Sequence, residues 1–347
     1  MSTPWRQILY VLMAAILIGC SLVDEDMSEC GTEYDMDYDL TLVTNVSTEI
    51  ATQLETELST DLELSAAVAL RGYLKNVFTD YAHDVDLSFY DVAQDSVRLH
   101  HEEHIMDANQ SSYTLSIPVR RYMHTALANL TKDPVIQVVD GDYCHREKLQ
   151  QMDQDTLNSH TTGLFSARQY MDIQEGVDQH FDVHLYMANS ATAILVDTAG
   201  SHIRDLKVFA TGFATDFSVA DSLYHFNAAP VFRMDRLPLT ENGGCCFASV
   251  HFPSRNPEDT KSVIDSGDIF VTTEAESALW QIKAYVTNED GSVTESILGV
   301  NEPLHAGELK ILKGKVIGNG AVQPSDPTVG VSITLDWSSG MNIDVEL

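Results

Sequence analysis

Residues 84–91, DVDLSFYD, decide the fold class of this chain, because polar and apolar side chains alternate along them. Successive side chains of a β-strand point to opposite faces of a sheet, so the alternation predicts a half-buried strand. The same pattern recurs in VRLH at 97–100, SYTLSIP at 112–118 and GVSITLD at 330–336. Short strands repeated in this way, with polar turns between them, indicate β-sandwiches rather than a parallel α/β sheet.

Most of the remaining chain is also strand-like, and helix is expected in one place. Asn242-Gly243 and Asp290-Gly291 separate strand-like runs and predict hairpin turns, where a positive φ favours glycine. From Ile50 to Tyr81 apolar residues recur every three or four positions, which predicts a helix over about residues 47–81. The polar segment 140–166 is expected to be a loop, with a short helix near 146–152. The expected fold class is therefore all-β with one helical insertion.

The first twenty residues predict a lipoprotein signal. Arg6 is the only charged residue before an apolar run from Ile8 to Ile18, which is too short to span a hydrocarbon core of about 30 Å. The run ends in LIGC at 17–20, which resembles a bacterial lipobox, so Cys20 is the predicted lipidation site. An ordinary secretory signal with an incidental cysteine is the alternative.

The length of the mature chain indicates two domains, since single cores rarely grow beyond about 250–300 residues. We expect a signal peptide at 1–19, an acidic tether at 20–38, an N-terminal sandwich at 39–172 with the helix, and a C-terminal sandwich at 173–347.

The chain is strongly acidic, with 52 Asp and Glu against 20 Lys and Arg and a formal net charge of −32. No surplus of cations is available to neutralise phosphates, which argues against nucleic-acid binding. The stretch from Cys20 to Leu70 holds 13 acidic residues and no Lys or Arg, so Arg71 is the first basic residue after the signal. A solvated acidic tether is sufficient to explain this composition.

Four cysteines remain if Cys20 is acylated, and they allow three pairings. Neighbours such as Cys245 and Cys246 rarely bond each other. We favour a disulfide between Cys30 and Cys144, because it would tie the tether to the first domain. A bridge from either of them to Cys245 or Cys246 remains the alternative. No CxxC pair occurs, so a structural zinc site is not expected.

The segment HHEEH at 100–104 is the one cluster that resembles a metal site. His100 and His104 have the spacing of a zincin, but position 101 is His where the general-base Glu is needed. We expect these residues at a solvated hairpin tip, with a metal site as the alternative. No GxSxG, Walker or GxGxxG motif occurs, so neither an enzyme nor a cofactor is predicted.

Four stretches resemble the FimB-type fimbrial anchor lipoproteins of Bacteroidetes. CSLVDEDMSEC at 20–30 is similar to the start of the mature family members, strands at 85–90 and 113–119 are similar to their first domain, and GVSITLDWSSG at 330–340 is similar to their C-terminal strand. One departure is visible, because the family pattern Pro-x-Gly-x-Tyr reads PVRRY at 118–122.

The resemblance implies two tandem transthyretin-like sandwiches and a place at the base of a fimbrium. Such a protein fixes the shaft to the outer membrane through its acyl chains and limits shaft length. Related shaft subunits exchange strands after a protease cuts behind an Arg and removes an N-terminal strand. The chain has no basic residue between Cys20 and Leu70, so its first strand, expected near 39–46, would be retained.

The C-terminal segment NIDVEL at 342–347 alternates again and places Ile343, Val345 and Leu347 on one face. It is expected either to pair within its own domain or to add as a strand to a neighbouring shaft subunit. A different function stays open as well, namely a surface lipoprotein that binds a glycan or host ligand through its sandwich loops.

Overall fold

The computed structural model describes residues 33–42, 58–78, 82, 84–104, 112–130, 135–139, 143–152, 156–175, 177, 179–226, 230–258, 262–264 and 278–335. One α-helix and many strands make up this part of the chain, which confirms the expected fold class. The helix α1 is Asp61–Leu74. The strands are Glu33–Leu42 (β1), Val85–Asp91 (β2), Val97–His104 (β3), Ser112–Pro118 (β4), Arg121–Ala128 (β5), Ile136–Val139 (β6), Lys148–Gln151 (β7), Thr156–Leu157 (β8), Phe165–Asp172 (β9), His180–Met187 (β10), Ser190–Asp197 (β11), Ile203–Thr211 (β12), Asp216–Ser218 (β13), Leu223–Phe226 (β14), Val231–Arg233 (β15), Asp235–Leu237 (β16), Gly244–His251 (β17), Ser262–Ile264 (β18), Trp280–Asn288 (β19), Val293–Val300 (β20), Leu309–Val316 (β21), Val322–Pro324 (β22) and Gly330–Leu335 (β23).

These strands form four sheets. A seven-stranded sheet has the order β3-β2-β5-β9-β10-β1-β4, and a six-stranded sheet has the order β23-β20-β19-β12-β15-β8. The middle sheet is β16-β17-β11-β21-β22, and a small sheet is β18-β14-β13-β7-β6. Parallel pairs such as β1 with β10 and β11 with β21 join strands that are far apart in sequence.

The seven-stranded sheet bends back on itself as a sandwich. β10 pairs with β1 through His180–Leu185 but with β9 only at Tyr186 and Met187, so the sheet turns a corner along β10. Only two residues separate β4 from β5, although these strands lie at different positions in the sheet. Arg120 stands there at the family's glycine position, and its φ is not positive. Its guanidinium donates to Asp91 at 2.6 Å, so this connection does not need a glycine.

The middle sheet is buried on both faces. Adjacent residues of β17 point in opposite directions, and Cys246 joins one hydrophobic core while Cys245 joins another. The first core combines α1, the seven-stranded sheet and one face of the middle sheet. The second core lies between the other face of the middle sheet and the six-stranded sheet, around the buried Trp280. The first core contains residues from both sides of position 172/173, and the division there stays a prediction.

Helix α1 begins with a capping box. The Thr60 hydroxyl accepts from the Glu63 N–H at 3.2 Å, and the Glu63 carboxylate accepts from the Thr60 N–H at 2.8 Å. The Lys313 ammonium on β21 lies 2.9 Å from the same carboxylate. Burial raises the pKa of Glu63, but Lys313 and the two cap N–H groups outweigh burial and lower it to about 2. The helix buries Leu70 and Leu74 and leaves Val68 exposed, as the apolar stripe predicts.

Three local expectations differ from the structure. The described helix is shorter than 47–81, and residues 47–57 lie outside the described part. The short helix expected near 146–152 is wrong, because a 3-10 turn at Cys144–Arg146 is followed by strand β7, which buries Leu149 and Gln151. The hairpin tip expected at 100–104 is wrong as well, since these residues belong to β3. The two glycine turns are confirmed, with φ of 91° at Gly243 and 90° at Gly291.

Candidate functional site

Strand β1 is the feature that bears most directly on assembly. Its first half pairs antiparallel with β4, from Glu33 opposite Pro118 to Asp39 opposite Ser112. Its second half pairs parallel with β10, from Asp37 opposite His180 to Leu42 opposite Leu185. In the described part of the chain β1 is the only strand bonded to β4. Since β4 buries Leu115 and Ile117 in the first core, removing β1 would detach β4 from the sheet and open that core.

The strand begins earlier than the sequence indicates. Residues 33–38, assigned above to the acidic tether, belong to β1, and the first strand was expected near 39–46. Aspartate and glutamate recur along this strand, and acidic residues are disfavoured in strands, which explains why the pattern was not recognised. The first basic residue after the signal, Arg71, lies within α1.

Cys144 is the one residue of the predicted disulfide that the structure describes. It forms no disulfide with another described cysteine, and its thiol is buried beside Tyr90, Met123 and Ala220. Burial, followed by the nearby Glu147 carboxylate, raises the pKa of this thiol to about 12. Cys30 and the lipidation residue Cys20 lie outside the described residues, so both predictions stand as predictions. Cys245 and Cys246 are also free and buried, and they face opposite sides of β17.

The histidine-rich segment lies along an edge strand rather than a helix. His100 and His104 are four residues apart on β3, which in a strand separates them by about 13 Å. The His101 ring lies 2.7 Å from the Asp86 carboxylate on β2, and the His100 ring packs beside Phe89 at a centroid distance of 5.7 Å. The zincin arrangement is therefore absent from this strand, and no group of three metal-ligand side chains converges among the described residues.

An open cleft of about 490 Å³ lies beside β9 and β10, facing β13 and β14. Arg168, His184 and Tyr186 line it, and the Tyr186 side chain is 59% exposed. The Tyr224 hydroxyl donates to the Ala188 carbonyl at 2.8 Å and closes one wall. These residues were not predicted from the sequence. The available signal was the alternation of HFDVHLYM at 180–187, in which aromatic residues occupy the polar face.

The last described strand forms an edge of the six-stranded sheet. β23 pairs with β20 on one side only, and its Val331 and Ile333 are 45% and 40% exposed. An exposed apolar edge is a site at which further strands add. Ile343, Val345 and Leu347, predicted above for strand pairing, lie outside the described residues. No helix in the described ranges has the length and apolar character needed to cross a membrane.

This chain is similar to solved structures from Bacteroides and Porphyromonas species. A proposed adhesin of Bacteroides ovatus is 9% identical over 91% of this chain and 98% of that chain, with a TM-score of 0.50. A proposed polysaccharide-binding protein (DUF1812) of Bacteroides thetaiotaomicron is 10% identical over 84% and 98%, also with a TM-score of 0.50. The fimbrial anchor protein Mfa2 from Porphyromonas gingivalis is 9% identical over 88% and 99%, with a TM-score of 0.49.

At such identities the likeness establishes a shared fold. The expected all-β sandwich fold class is confirmed by the strands and sheets described above. No family model matches the sequence, and neither does any curated protein.

Proposed function

We propose that this protein is a lipid-anchored fimbrial subunit that attaches a fimbrial shaft to the outer membrane and limits its length. The observation that carries the proposal is the place of β1, which pairs with both β4 and β10 and follows directly on the predicted tether. A shaft subunit must lose its first strand to accept a strand from its neighbour. A terminal anchor must keep that strand, because the strand connects it to its lipid.

The sequence around β1 suits retention. No Lys or Arg occurs from Cys20 to Leu70, so a protease specific for basic residues has no site between the lipid and α1. Arg71, the first candidate, lies inside a capped helix, and proteases need an extended substrate. With β1 in place, β4 keeps its partner and no groove is open to a further subunit on that side. Growth would then stop at this protein.

Lipidation at Cys20 supplies the attachment. Each acyl CH₂ group buried in the membrane contributes about 0.8 kcal/mol, and stable anchoring takes two or more chains. The strongly acidic mature chain adds no attraction to anionic lipid. The acyl chains therefore hold the protein, and the protein holds the shaft without catalysis.

Affinity purification of the full chain from outer membranes tests the proposal. Shaft subunits should purify together with the chain. A second experiment tests whether β1 is retained, with the variant Asn45→Arg, which adds a basic residue just after β1. In cells with an Arg-specific surface protease, this variant should be cut before Val46, so that reducing gels of the membranes show residues 46–347 as a shorter fragment, whereas the uncharged control Asn45→Gln should stay intact. Purification without any shaft protein would refute the anchor role.

Glycan binding is a second candidate, favoured by the cleft at Tyr186. An exposed aromatic ring with polar neighbours is the usual platform for a sugar ring, and one neighbour in fold is a proposed polysaccharide-binding protein. A glycan array with the wild type and Tyr186→Ala tests this function. The exposed Tyr170→Ala, on β9, is the matched control because its side chain is 60% exposed and it does not line the cleft.

A further inference from the structure

Among the strands that the structure describes, most of β12 has a partner on one side only. β19 pairs with β12 from Ile203 to Thr211, whereas β15 pairs with it only from Phe209 to Thr211. The chain leaves β15 at Met234, whose N–H donates to the Val208 carbonyl at 3.0 Å, and continues as β16 in the middle sheet. In the described part of the chain no strand lies beside residues 203–208 on this side. Such an edge is a template for an added strand.

A groove of about 310 Å³ follows this free edge, and we call it the β12 groove. Leu206 and Val208 form its floor together with Met234 and Phe247, whereas Phe209, which also lines the groove, lies on the opposite face of β12. These side chains are buried and belong to well-packed β-structure, so the floor is apolar and fixed. An extended peptide could therefore lay alternate apolar side chains against this floor.

The rim of the β12 groove carries three cationic side chains, from Lys207, Arg233 and Arg236. Within the described ranges no carboxylate forms an ion pair with any of them. The Arg236 guanidinium donates to the Cys245 sulfur at 3.0 Å, which holds it against the groove wall. In a chain with only 20 basic residues and a net charge of −32, three such cations at one groove favour an anionic occupant.

The two carboxylates at the groove are already engaged within the protein. Asp205 accepts from the Leu206 N–H at 2.9 Å, and Asp235 accepts from the Tyr73 hydroxyl at 2.7 Å. Both carboxylates keep their negative charge, and three cations against two carboxylates leave the groove lining a net charge of +1. The local charge of the β12 groove therefore remains opposite in sign to that of the whole chain.

We propose that the β12 groove binds an extended acidic peptide segment of another polypeptide by strand addition. The backbone of that segment bonds to this edge of β12, where it replaces the Asp205 carboxylate as the partner of the Leu206 N–H. Its apolar side chains cover the floor, and its carboxylates face the three cations. The strand edge requires an extended peptide backbone, and the three cations favour acidic side chains. An anionic polysaccharide meets the second condition only. The site is separate from β1 and does not depend on the anchor role.

The test uses a fluorescent eight-residue peptide of alternating Glu and Val, titrated with the detergent-solubilised full chain. Strand addition predicts saturable binding that weakens with salt. Arg233→Glu should weaken binding about fivefold, because Arg233 is exposed and its reversal replaces an attraction by a repulsion. The control Lys75→Glu makes the same charge change at the exposed end of α1 and should alter binding less than about twofold.

Two further probes separate strand addition from simple attraction between charges. The peptide is made with N-methyl groups on either all Val or all Glu residues, so that each copy lacks the N–H donors of one edge. At least one copy should bind about tenfold more weakly than the parent. The proposal is overturned if the parent peptide does not bind, if Arg233→Glu binds it unchanged, or if both methylated copies bind like the parent. Equal binding of polygalacturonate through Arg233 would also overturn it, since that is anion capture without a strand.

Discussion

The buried ring of His251, at the end of β17, should make the protein sensitive to acid. The ring stacks on Phe213 with a centroid distance of 3.4 Å, and its Nε2 lies 3.0 Å from the Thr192 hydroxyl. Its Nδ1 lies 2.8 Å from the Phe252 carbonyl oxygen, so Nδ1 carries the proton of the neutral ring. Burial lowers the pKa of His251 to about 3, against the opposing effect of the Phe252 carbonyl.

The sign and the size of the effect follow from that pKa. In the unfolded chain His251 takes up a proton near its ordinary pKa of 6.5, whereas in the folded protein it stays neutral down to about 3. The contribution to stability is therefore complete above pH 6.5 and is lost as the pH falls toward 3. At pH 4.5, two pH units below the ordinary value, the loss is about 2.7 kcal/mol. Since pH 4.5 lies well above the folded-state pKa, this figure depends little on its exact value.

Denaturant unfolding at pH 7 and pH 4.5 measures the loss as a double difference. His251→Gln removes the titrating ring, and any uniform destabilisation cancels between the two pH values. The variant should lose less stability than the wild type between them, by about 2–3 kcal/mol. His202→Gln is the control, because that side chain is 83% exposed and should leave the difference unchanged. Equal losses in the wild type and His251→Gln would refute the reasoning.

The remaining predictions concern the helix, the disulfide and the chain end. Leu70→Ala should lower the free energy of unfolding by about 2–5 kcal/mol, because Leu70 is fully buried, whereas Val68→Ala, at a side chain that is 68% exposed, should change it by less than about 0.5 kcal/mol. Non-reducing peptide mapping should find Cys30 bonded to Cys144, and two free thiols or a bridge to β17 would contradict that pairing. Deleting Asn342–Leu347 should lower the melting temperature if the segment pairs within its own domain, or shed fimbriae at normal stability if it pairs with the shaft. Normal melting with attached fimbriae would refute both.

Strands with a local signal were predicted well. The alternation of DVDLSFYD and SYTLSIP places β2 and β4 where the structure has them. β4 buries Leu115 and Ile117 on one face, as the alternation predicts, but the expectation of a half-buried strand is wrong for β2, which lies between β3 and β5 and is buried on both faces. The glycine turns at 243 and 291 were also predicted, because the need for a positive φ depends only on the turn itself. The capping box at Thr60 and Glu63 was also readable from the sequence, and it would have fixed the start of the described helix.

Features that depend on distant partners were not predicted. β7 has the polar sequence KLQQ, yet it becomes a strand because Gln151 donates to the Ala214 carbonyl at 2.9 Å and Leu149 joins the core of the small sheet. The segment HHEEH lies in β3 because β2 offers it a partner edge. The parallel pairing of β1 with β10 leaves no periodic trace, and the acidic composition of β1 argued for a tether.

The β12 groove and the cleft at Tyr186 could not be found from spacing alone. One of the three cations, Lys207, lies on β12, and the other two, Arg233 and Arg236, lie on β15 and β16. The edge of β12 between them is open only because the chain leaves the six-stranded sheet at Met234. Sequence reasoning gives charges in order along the chain, whereas the unpaired edge is a property of the sheet. The sites that were predicted from the sequence lie at the two ends of the chain and rest on local motifs.

Anchoring through Cys20 is the central claim, and fractionation of fimbriated cells tests it most directly. Cells carrying the wild type or Cys20→Ala are separated into membrane and medium, and shaft protein is quantified in each fraction. With the wild type, shaft protein should stay in the membrane fraction together with this protein. With Cys20→Ala, both proteins should move to the medium together. Shaft protein that stays on the cells while the unlipidated variant is lost from them would contradict the account.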